Sequence, residues 1–251
     1  MVLYKADIKF NTYPEWAVKA LLAGKHVLCE KPCASNAVEI REIKSILHSL
    51  TSTSKVPPVY LEAYHYRFHP ATIYVRNLLT SGTYGKTLST YAFLGIPDGS
   101  LSLENIRFNY DLGGGALMDL GYTVSVTRYM VLGPGEGKPM QIVSATAKKL
   151  PSDDRIDVLM DAEMLFEVDD GNGGKHEVKS TICSDLAIPK LWGLIPVFWK
   201  QPLFIAETEK ATITYNKYVR EFQKVLLSLL GLANKILLQL CVSIPVTFNP
   251  N

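Results

Sequence analysis

A lysine beside a proline, at the end of a short apolar run, is the first residue in this chain with a clear potential for chemistry. The run covers residues 26–29, and Glu30, Lys31 and Pro32 follow it directly. Such a run is typical of a buried parallel strand, and open α/β sheets bind ligands at the carboxyl ends of their strands. There the ammonium group of Lys31 can donate to a substrate hydroxyl or carbonyl oxygen. The alternative, which composition alone favours, is an exposed Glu-Lys pair on a loop.

A second candidate is the glycine-rich stretch at residues 113–115, which opens a long and mostly apolar segment that predicts a helix and contains Asp119. A glycine-rich entry to a helix can bind phosphate through backbone N–H groups. No strand leads directly into this stretch, so the phosphate hypothesis is weak. The alternative is an apolar core helix with one capped aspartate.

A possible metal pair is formed by His65 and His69, which are four residues apart. On a helix this spacing places two imidazoles on one face. Pro70 disfavours helical geometry at His69, so we do not expect a metal site here.

The composition limits the classes of protein that this chain can be. The 251 residues are 47% hydrophobic and 20% charged, with a formal net charge of +2, which is typical of a globular protein and gives no reason to expect nucleic-acid binding. Four scattered cysteines without metal-ligand spacing predict reduced thiols in a cytoplasmic protein. Because residues 1–10 contain Lys5, Asp7 and Lys9, we do not expect them to form a signal peptide.

The elements that must position Lys31 alternate between helix and strand. Apolar periodicity predicts a helix over residues 13–23 that ends at Gly24, a strand over 26–29, and a helix over 37–50 with Asn36 as its N-cap. A strand over 59–63 and a helix over 71–81 follow. The fold class expected from this order is α/β in the first part of the chain.

From residue 141 onward the pattern predicts an antiparallel sheet. Candidate strands in this part cover residues 142–149, 158–168, 175–183, 204–208 and 211–215, and a further strand is predicted earlier, at residues 87–95. The acidic stretch at 169–174 is interpreted as a hairpin turn, because it lacks the ligand spacing of a calcium loop. The apolar run at 225–246 predicts an amphipathic or buried helix; a membrane span, or a tail that is out of frame or alternatively spliced, are the alternatives.

Two motifs carry a resemblance to a known family. Residues 23–32 read AGKHVLCEKP and residues 113–122 read GGGALMDLGY. Both resemble signatures of the glucose–fructose oxidoreductase / inositol dehydrogenase family of NAD(P)-dependent enzymes, in its dihydrodiol and D-xylose dehydrogenase branch. The resemblance extends over most of the chain. It implies an incomplete Rossmann-type nucleotide-binding domain at residues 1–61 and an α+β substrate-binding domain with a large open sheet at residues 62–251.

The resemblance also implies the site and its chemistry. Hydride would pass between NADP or NAD and a sugar, polyol or related diol, without a metal. Tyr122 would exchange the hydroxyl proton, Lys31 would hold Tyr122 or the substrate oxygen, and Asp119 would bind a neighbouring hydroxyl. Residues implied to contact the cofactor are Glu30, Lys31, Pro32 and Asn11; those implied to contact substrate in an interdomain cleft are Tyr64, His65, Arg67 and Asp119, with Glu62 as a further polar group there. The implied partners are a small-molecule substrate and either a second copy of the chain or an intact homologue.

The chain departs from the family pattern in two places. It contains no G-x-G-x-x-G turn, the motif that normally binds the cofactor pyrophosphate, so we expect weak NAD(P)H binding by this polypeptide alone. The alternative is a non-redox lyase, cyclase or partner subunit on the same scaffold. Asp119 and Tyr122 are also one residue closer than in the relatives. On a continuous helix they would still share a face, so we predict that both point toward Lys31 and that Gly121 absorbs the strain.

Overall fold

The computed structural model describes residues 2–3, 13–132, 140–169, 174–195, 197, 202–216, 224–229 and 238–240. They fall into two compact units that are each discontinuous in sequence. Unit 1 contains residues 1–65, 101–121 and 149–158, and unit 2 contains residues 66–100, 122–148 and 159–251. A division of the chain at residues 61 and 62 stays a prediction.

From residue 13 to residue 216 the helices and strands follow one another in the predicted order, apart from the helix after the glycine-rich stretch, which is divided into two. In chain order they are β1 (Val2–Leu3), α1 (Tyr13–Leu22), β2 (Val27–Cys29), α2 (Ala37–Thr53), β3 (Tyr60–Glu62), α3 (Pro70–Thr80), β4 (Thr87–Pro97), α4 (Ala116–Asp119), α5 (Tyr122–Leu132), β5 (Met140–Leu150), β6 (Asp153–Asp169), β7 (Lys175–Ile188), β8 (Leu203–Thr208), β9 (Ala211–Asn216), β10 (Lys224–Leu229) and β11 (Leu238–Leu240).

Unit 1 contains the Rossmann-type part of the fold. Strands β1, β2 and β3 pair in parallel, with Val27 opposite Tyr60. Helices α1 and α2 pack against each other, and α1 also packs against β2. The shared core lies between these elements, and its buried members are Ala17, Leu21, Val27, Cys29, Cys33 and Ile43.

The N-terminus of α2 is determined by local sequence, as predicted. Asn36 Oδ1 accepts hydrogen bonds from the backbone N–H groups of Val38 (2.9 Å) and Glu39 (3.1 Å). Glu39 Oε2 in turn accepts from the backbone N–H of Ser35 at 2.7 Å. These bonds satisfy donors that a helix start leaves unpaired, and they hold the chain that leaves the Lys31 loop.

Unit 2 contains most of a large sheet whose described strands lie in the order β11-β10-β9-β8-β4-β7-β6-β5. The pairs of described register are antiparallel except β4 with β7, which is parallel. One face is apolar because alternate residues point to it: Phe204 lies opposite Tyr215 and Ala206 opposite Ile213, and all four are buried. The mixed α/β fold with a large, mostly antiparallel sheet confirms the predicted fold class.

Helix α5 packs against β4 and β7, and α3 packs against α5. A buried hydroxyl pair, Thr123 Oγ1 with Ser184 Oγ at 2.8 Å, joins the first turn of α5 to β7. This hydrogen bond pairs two polar groups in the core and links the residue after Tyr122 to the sheet.

The helix predicted over residues 225–246 is wrong where the structure describes this segment. Residues Lys224–Leu229 form β10, which pairs with β9, and Leu238–Leu240 form β11. A continuous apolar run has no periodicity that distinguishes a helix from a buried strand, and the free edge of β9 decides the outcome. No helix among the described residues has the length and apolarity needed to cross a membrane. Most of the predicted hairpin turn at 169–174 lies outside the described residues.

Candidate functional site

The loop after β2 positions Lys31 within unit 1. Lys31 Nζ donates to the backbone oxygen of Asp119 at 2.8 Å and to its carboxylate Oδ1 at 3.0 Å. The Lys31–Pro32 peptide bond is cis. The side chains of Lys31 and Asp119 are 20% and 15% exposed, so this ion pair is partly shielded from water. Two motifs 88 residues apart in sequence therefore meet at one ammonium group.

Glu62 holds the same loop in place from the end of β3. Its Oε1 accepts a hydrogen bond from the backbone N–H of Cys33 at 3.1 Å. The backbone N–H of Ala63 donates to the oxygen of Cys29 at 2.8 Å and continues the pairing of the two strands. The end of β3 thus holds the chain on both sides of Lys31, through the Ala63 backbone at Cys29 and through the Glu62 side chain at Cys33.

A third charged residue, Arg107, completes this cluster. Its Nε donates to Asp119 Oδ2 at 2.6 Å, and its Nη1 donates to Asn105 Oδ1 at 3.2 Å. The Arg107 side chain is 31% exposed. Each carboxylate oxygen of Asp119 therefore accepts from a different cation, and the cluster of Lys31, Arg107 and Asp119 has a formal charge of +1. An electropositive, partly buried group of this kind can stabilise an oxyanion that develops on a substrate.

Sequence reasoning missed Arg107. It lies 12 residues before Asp119 in a loop without periodicity, where a single arginine looks like any surface residue. The only available signal was its proximity to the glycine-rich motif. The loop is anchored by Phe108, which packs against the buried cluster of Leu150, Ile156 and Val158.

The glycine-rich stretch packs closely against neighbouring backbone and does not form a phosphate-binding turn. Its backbone N–H groups are already used: Gly114 donates to Asn109 O and Gly115 to Arg107 O, each at 2.9 Å. The N–H of Leu117 donates to Asp157 Oδ2 at 2.8 Å. Helix α4 is only four residues long. These bonds tie the backbone of Arg107 to the turn that leads to Asp119.

Gly114→Ala should destabilise the folded chain by about 3 kcal/mol, through steric overlap that the backbone has no room to relieve. A Cβ on Gly114 would lie 2.7 Å from the backbone oxygens of Arg107 and Asn109. Urea denaturation measures the loss. Gly24→Ala is the control: Gly24 has φ +68° but nothing within 4 Å, so only its left-handed strain of about 1 kcal/mol applies. Equal losses in the two variants would contradict the steric explanation.

The predicted continuous helix through Asp119 and Tyr122 is wrong. Helix α4 ends at Asp119, α5 begins at Tyr122, and Leu120 between them has φ −94° and ψ 24°. The hydroxyl group of Tyr64 packs closely on Gly121. A Cβ added to Gly121 would lie 3.0 Å from the Tyr64 hydroxyl oxygen. The close packing of Tyr64 on this backbone accompanies the break. Asp119 does point toward Lys31, while the same orientation of Tyr122 stays a prediction.

Tyr122 lies at the start of α5 in unit 2. It is 8% exposed, and its ring lies 5.9 Å from the ring of Tyr66 at an angle of 55°. The Tyr66 hydroxyl shares a 2.8 Å hydrogen bond with Ser125 Oγ. Burial raises the pKa of Tyr66, against the lowering effects of Ser125 and of the positive charge of Arg67. Tyr66 therefore stays a neutral phenol beside Tyr122.

The remaining predicted site residues are spread over both units. Glu30 is exposed and Pro32 half-buried in the loop around Lys31; Tyr64 and His65 follow β3 in unit 1, whereas Arg67 belongs to unit 2. Asn11 lies outside the described residues. His69 Nδ1 accepts a hydrogen bond from the backbone N–H of Ala71 at 3.1 Å and caps α3. Among the described residues, no three histidine, cysteine or acidic side chains form a group that could hold a metal ion.

The two thiols on either side of the Lys31 loop are buried. Burial and then the negative charge of Glu62 raise the pKa of Cys33 to about 12, against the lowering effect of Tyr60. Burial also raises the pKa of Cys29. At neutral pH both side chains are thiols that pack as small apolar groups beside β2.

The free energy of unfolding should fall as the pH rises from 9 toward 12. The pKa of Cys33 is raised from 9.0, so over this range the unfolded chain releases a proton that the folded chain retains. The expected slope is about 1.4 kcal/mol per pH unit for this thiol, and the contribution is complete below pH 9. Urea denaturation at several pH values measures it. Because the pKa of Cys29 is also raised, Cys33→Ala should reduce the slope without abolishing it. An unchanged slope would contradict the assignment to Cys33.

Comparison with known proteins shows that the sequence is similar to sugar and diol oxidoreductases. The chain is 36% identical over 123 residues to the dTDP-3,4-didehydro-2,6-dideoxy-alpha-D-glucose 3-reductase of Saccharopolyspora spinosa, covering 49% of this chain and 35% of that protein. It is 30% identical over 172 residues to the D-xylose 1-dehydrogenase (NADP(+)) 2 of Haloferax volcanii, covering 67% and 46%. It is 33% identical over 141 residues to the trans-1,2-dihydrobenzene-1,2-diol dehydrogenase of Macaca fascicularis, covering 56% and 39%. The matches span about a third to a half of the length of these relatives. No protein-family model matches the chain.

Solved structures confirm the fold. A mutant of KijD10, a 3-ketoreductase from Actinomadura kijaniata in complex with TDP-benzene and NADP, superposes with a TM-score of 0.67 at 20% identity, over 93% of this chain and 64% of that one. The aldose-aldose oxidoreductase from Caulobacter crescentus gives a TM-score of 0.65 at 20% identity, over 90% and 60%. The curated relatives are dehydrogenases and reductases of sugars and diols, which confirms the resemblance read from the two motifs.

Proposed function

We propose that this relative of the glucose–fructose oxidoreductase / inositol dehydrogenase family is an NADP- or NAD-dependent oxidoreductase that acts on a hydroxyl or keto group of a sugar, polyol or related diol. The observation that carries the proposal is the cluster of Lys31, Arg107 and Asp119. It joins the lysine at the end of β2 to the aspartate of the second motif, within a fold that it shares with NADP complexes of a 3-ketoreductase. The D-xylose dehydrogenase relative is named as NADP-dependent.

The residues present suit a nicotinamide at the Lys31 loop. The loop lies at the carboxyl end of a parallel strand, the edge at which such sheets bind ligands. Glu30, Lys31 and Pro32 would hold the nicotinamide end of the cofactor, with Asn11 as a further contact. When bound, the nicotinamide supplies or accepts the hydride. The glycine-rich stretch contributes nothing to the pyrophosphate, because the N–H groups of Gly114, Gly115 and Leu117 are already paired.

The chain's own residues have separate tasks in this proposal. Lys31 places its charge beside the reacting oxygen and stabilises the alkoxide that forms as a carbonyl accepts hydride or an alcohol loses its proton. Tyr122 gives that oxygen its proton in reduction and takes it back in oxidation. Asp119 orients Lys31, and Arg107 in turn orients Asp119, because each carboxylate oxygen accepts from one of the two cations. Tyr64, His65 and Arg67 are proposed to contact the substrate.

Location and assembly form a further part of the proposal. Buried thiols at Cys29 and Cys33 are consistent with a reducing compartment, so we place the protein in the cytoplasm. We also propose a dimer, formed with a second copy or with an intact homologue, as the family resemblance implies.

Turnover and cofactor binding test the function separately. The purified chain is titrated with NADPH and NADH by nicotinamide fluorescence, and turnover with D-xylose, myo-inositol, a trans-dihydrodiol and a dTDP-linked keto sugar is followed by nicotinamide absorbance. We expect cofactor-dependent turnover with at least one of them, and binding weaker than micromolar. Saturating cofactor binding without turnover of any sugar, polyol, diol or corresponding ketone would favour the non-redox alternative.

A further inference from the structure

Unit 2 contains a pair of arginines whose charges no described residue neutralises. The guanidinium carbon of Arg67 lies 5.0 Å from the centroid of the Tyr129 ring, and that of Arg76 lies 5.3 Å from the same centroid. Arg67 comes from the short 3-10 helix after β3, Arg76 from α3 and Tyr129 from α5. Three separate elements thus converge on one half-buried ring.

The electrostatics of this cluster differ from those of Arg107 and Arg155. Arg107 and Arg155 each contact a carboxylate, Asp119 and Asp153 respectively. Within the described part of the chain, neither Arg67 nor Arg76 has an ion pair with an acidic side chain. Two like charges that share one ring repel each other, and the cation–π contacts offset only part of that repulsion.

One donor in the cluster is also unused. The Nε of Arg76 is buried and has no hydrogen-bond partner among the described residues. A buried donor without a partner is unfavourable, and this one belongs to a guanidinium group that no described carboxylate neutralises. The guanidinium group presents a planar fork of donors that matches the oxygens of a phosphate.

We infer that Arg67, Arg76 and Tyr129 form a binding site for a phosphate group of the substrate. The inference rests on the proposed function and names its substrate class: a phosphorylated or nucleotide-linked sugar rather than a free sugar. The site lies close to the proposed acid, since the positive charge of Arg67 acts on Tyr66 and the Tyr66 ring contacts Tyr122. A phosphate held there would keep the sugar of the same molecule in reach of Tyr122.

Calorimetric titration tests the site without requiring turnover. The probes are inorganic pyrophosphate, dTDP and NADP, each titrated into the full chain at low and at moderate salt. We expect pyrophosphate and dTDP to bind, with affinity that falls as salt rises. Arg67→Gln and Arg76→Gln should each weaken dTDP binding at least tenfold. Arg41→Gln, which removes the same charge from an exposed position on α2, should change it less than twofold.

Each other outcome is informative. If the arginine variants lose NADP binding while dTDP binding is unchanged, the arginines belong to the cofactor site and the inference is overturned. Equal effects of Arg41→Gln and Arg76→Gln on dTDP binding would also overturn it. So would a wild-type chain that binds neither pyrophosphate nor dTDP. Arg67→Lys and Arg76→Lys keep the charge without the fork and guard against unfolding; they should retain the wild-type denaturation midpoint with weakened dTDP binding. Because binding is measured alone, an inactive chain that binds dTDP through these arginines would refute the proposed function while leaving this site intact.

Discussion

Replacing Lys31 with methionine should lower kcat about 10²–10³-fold in the proposed reaction while changing KM much less. The ammonium group interacts more strongly with a developing alkoxide than with a neutral hydroxyl or carbonyl, so its loss affects the transition state more than the bound substrate. Methionine preserves the length and much of the apolar stem. The kinetic constants come from nicotinamide absorbance under saturating cofactor.

Two matched variants make this result specific. Lys25→Met removes the same charge from an exposed position just before β2 and should leave kcat within about twofold. Lys31→Arg keeps a charge in a different shape and should recover part of the rate, because a planar guanidinium cannot reproduce both bonds of Nζ to Asp119. If kcat of Lys31→Met equals that of the unsubstituted chain, Lys31 has no part in the mechanism.

Replacing Asp119 with alanine should lower the free energy of unfolding by about 3 kcal/mol. The substitution leaves Lys31 and Arg107 near each other without the carboxylate that separates their charges, in a region where the Asp119 side chain is 15% exposed. Removing one partner of a shielded ion pair lowers the free energy of unfolding by more than the intact pair adds to it. The remaining charges are already shielded from water by the fold, and the substitution takes away their counter-charge. Urea denaturation monitored by tryptophan fluorescence measures the change.

The control is Glu15→Ala, which removes the exposed pair between Glu15 and Lys19 on α1 and should cost about 0.5 kcal/mol or less. A double-mutant cycle between Asp119→Ala and Arg107→Ala should give a coupling of about 1 kcal/mol or more. Additive losses in that cycle would show that the 2.6 Å contact is not a stabilising interaction and that Arg107 does not position Asp119.

Local sequence determined those elements whose signals lie within a few residues of one another. The N-terminus of α2 is an example, because Asn36 Oδ1 accepts from the backbone N–H of Glu39 and Glu39 Oε2 accepts from that of Ser35, all within five consecutive residues. Strand β9 is another, since its apolar residues Ala211, Ile213 and Tyr215 alternate with polar ones, which suits a pleated strand with one buried face. Lys31 and Asp119 were identified in advance through two motifs, and the sequence placed the first of these at a strand end without any tertiary information.

Tertiary structure alone decided how those residues meet. Arg107 became part of the site through a loop whose position depends on Phe108 packing against Leu150, Ile156 and Val158, residues more than 40 positions away. The helix break after Asp119 occurs where the Tyr64 hydroxyl packs on Gly121, and the strand at Lys224–Leu229 forms on the edge of β9. In each case the competing local conformations differ by about 1 kcal/mol or less per residue, so a contact with a distant segment selects between them. Sequence therefore determines the residues that can do the chemistry, while long-range packing determines which charges surround them.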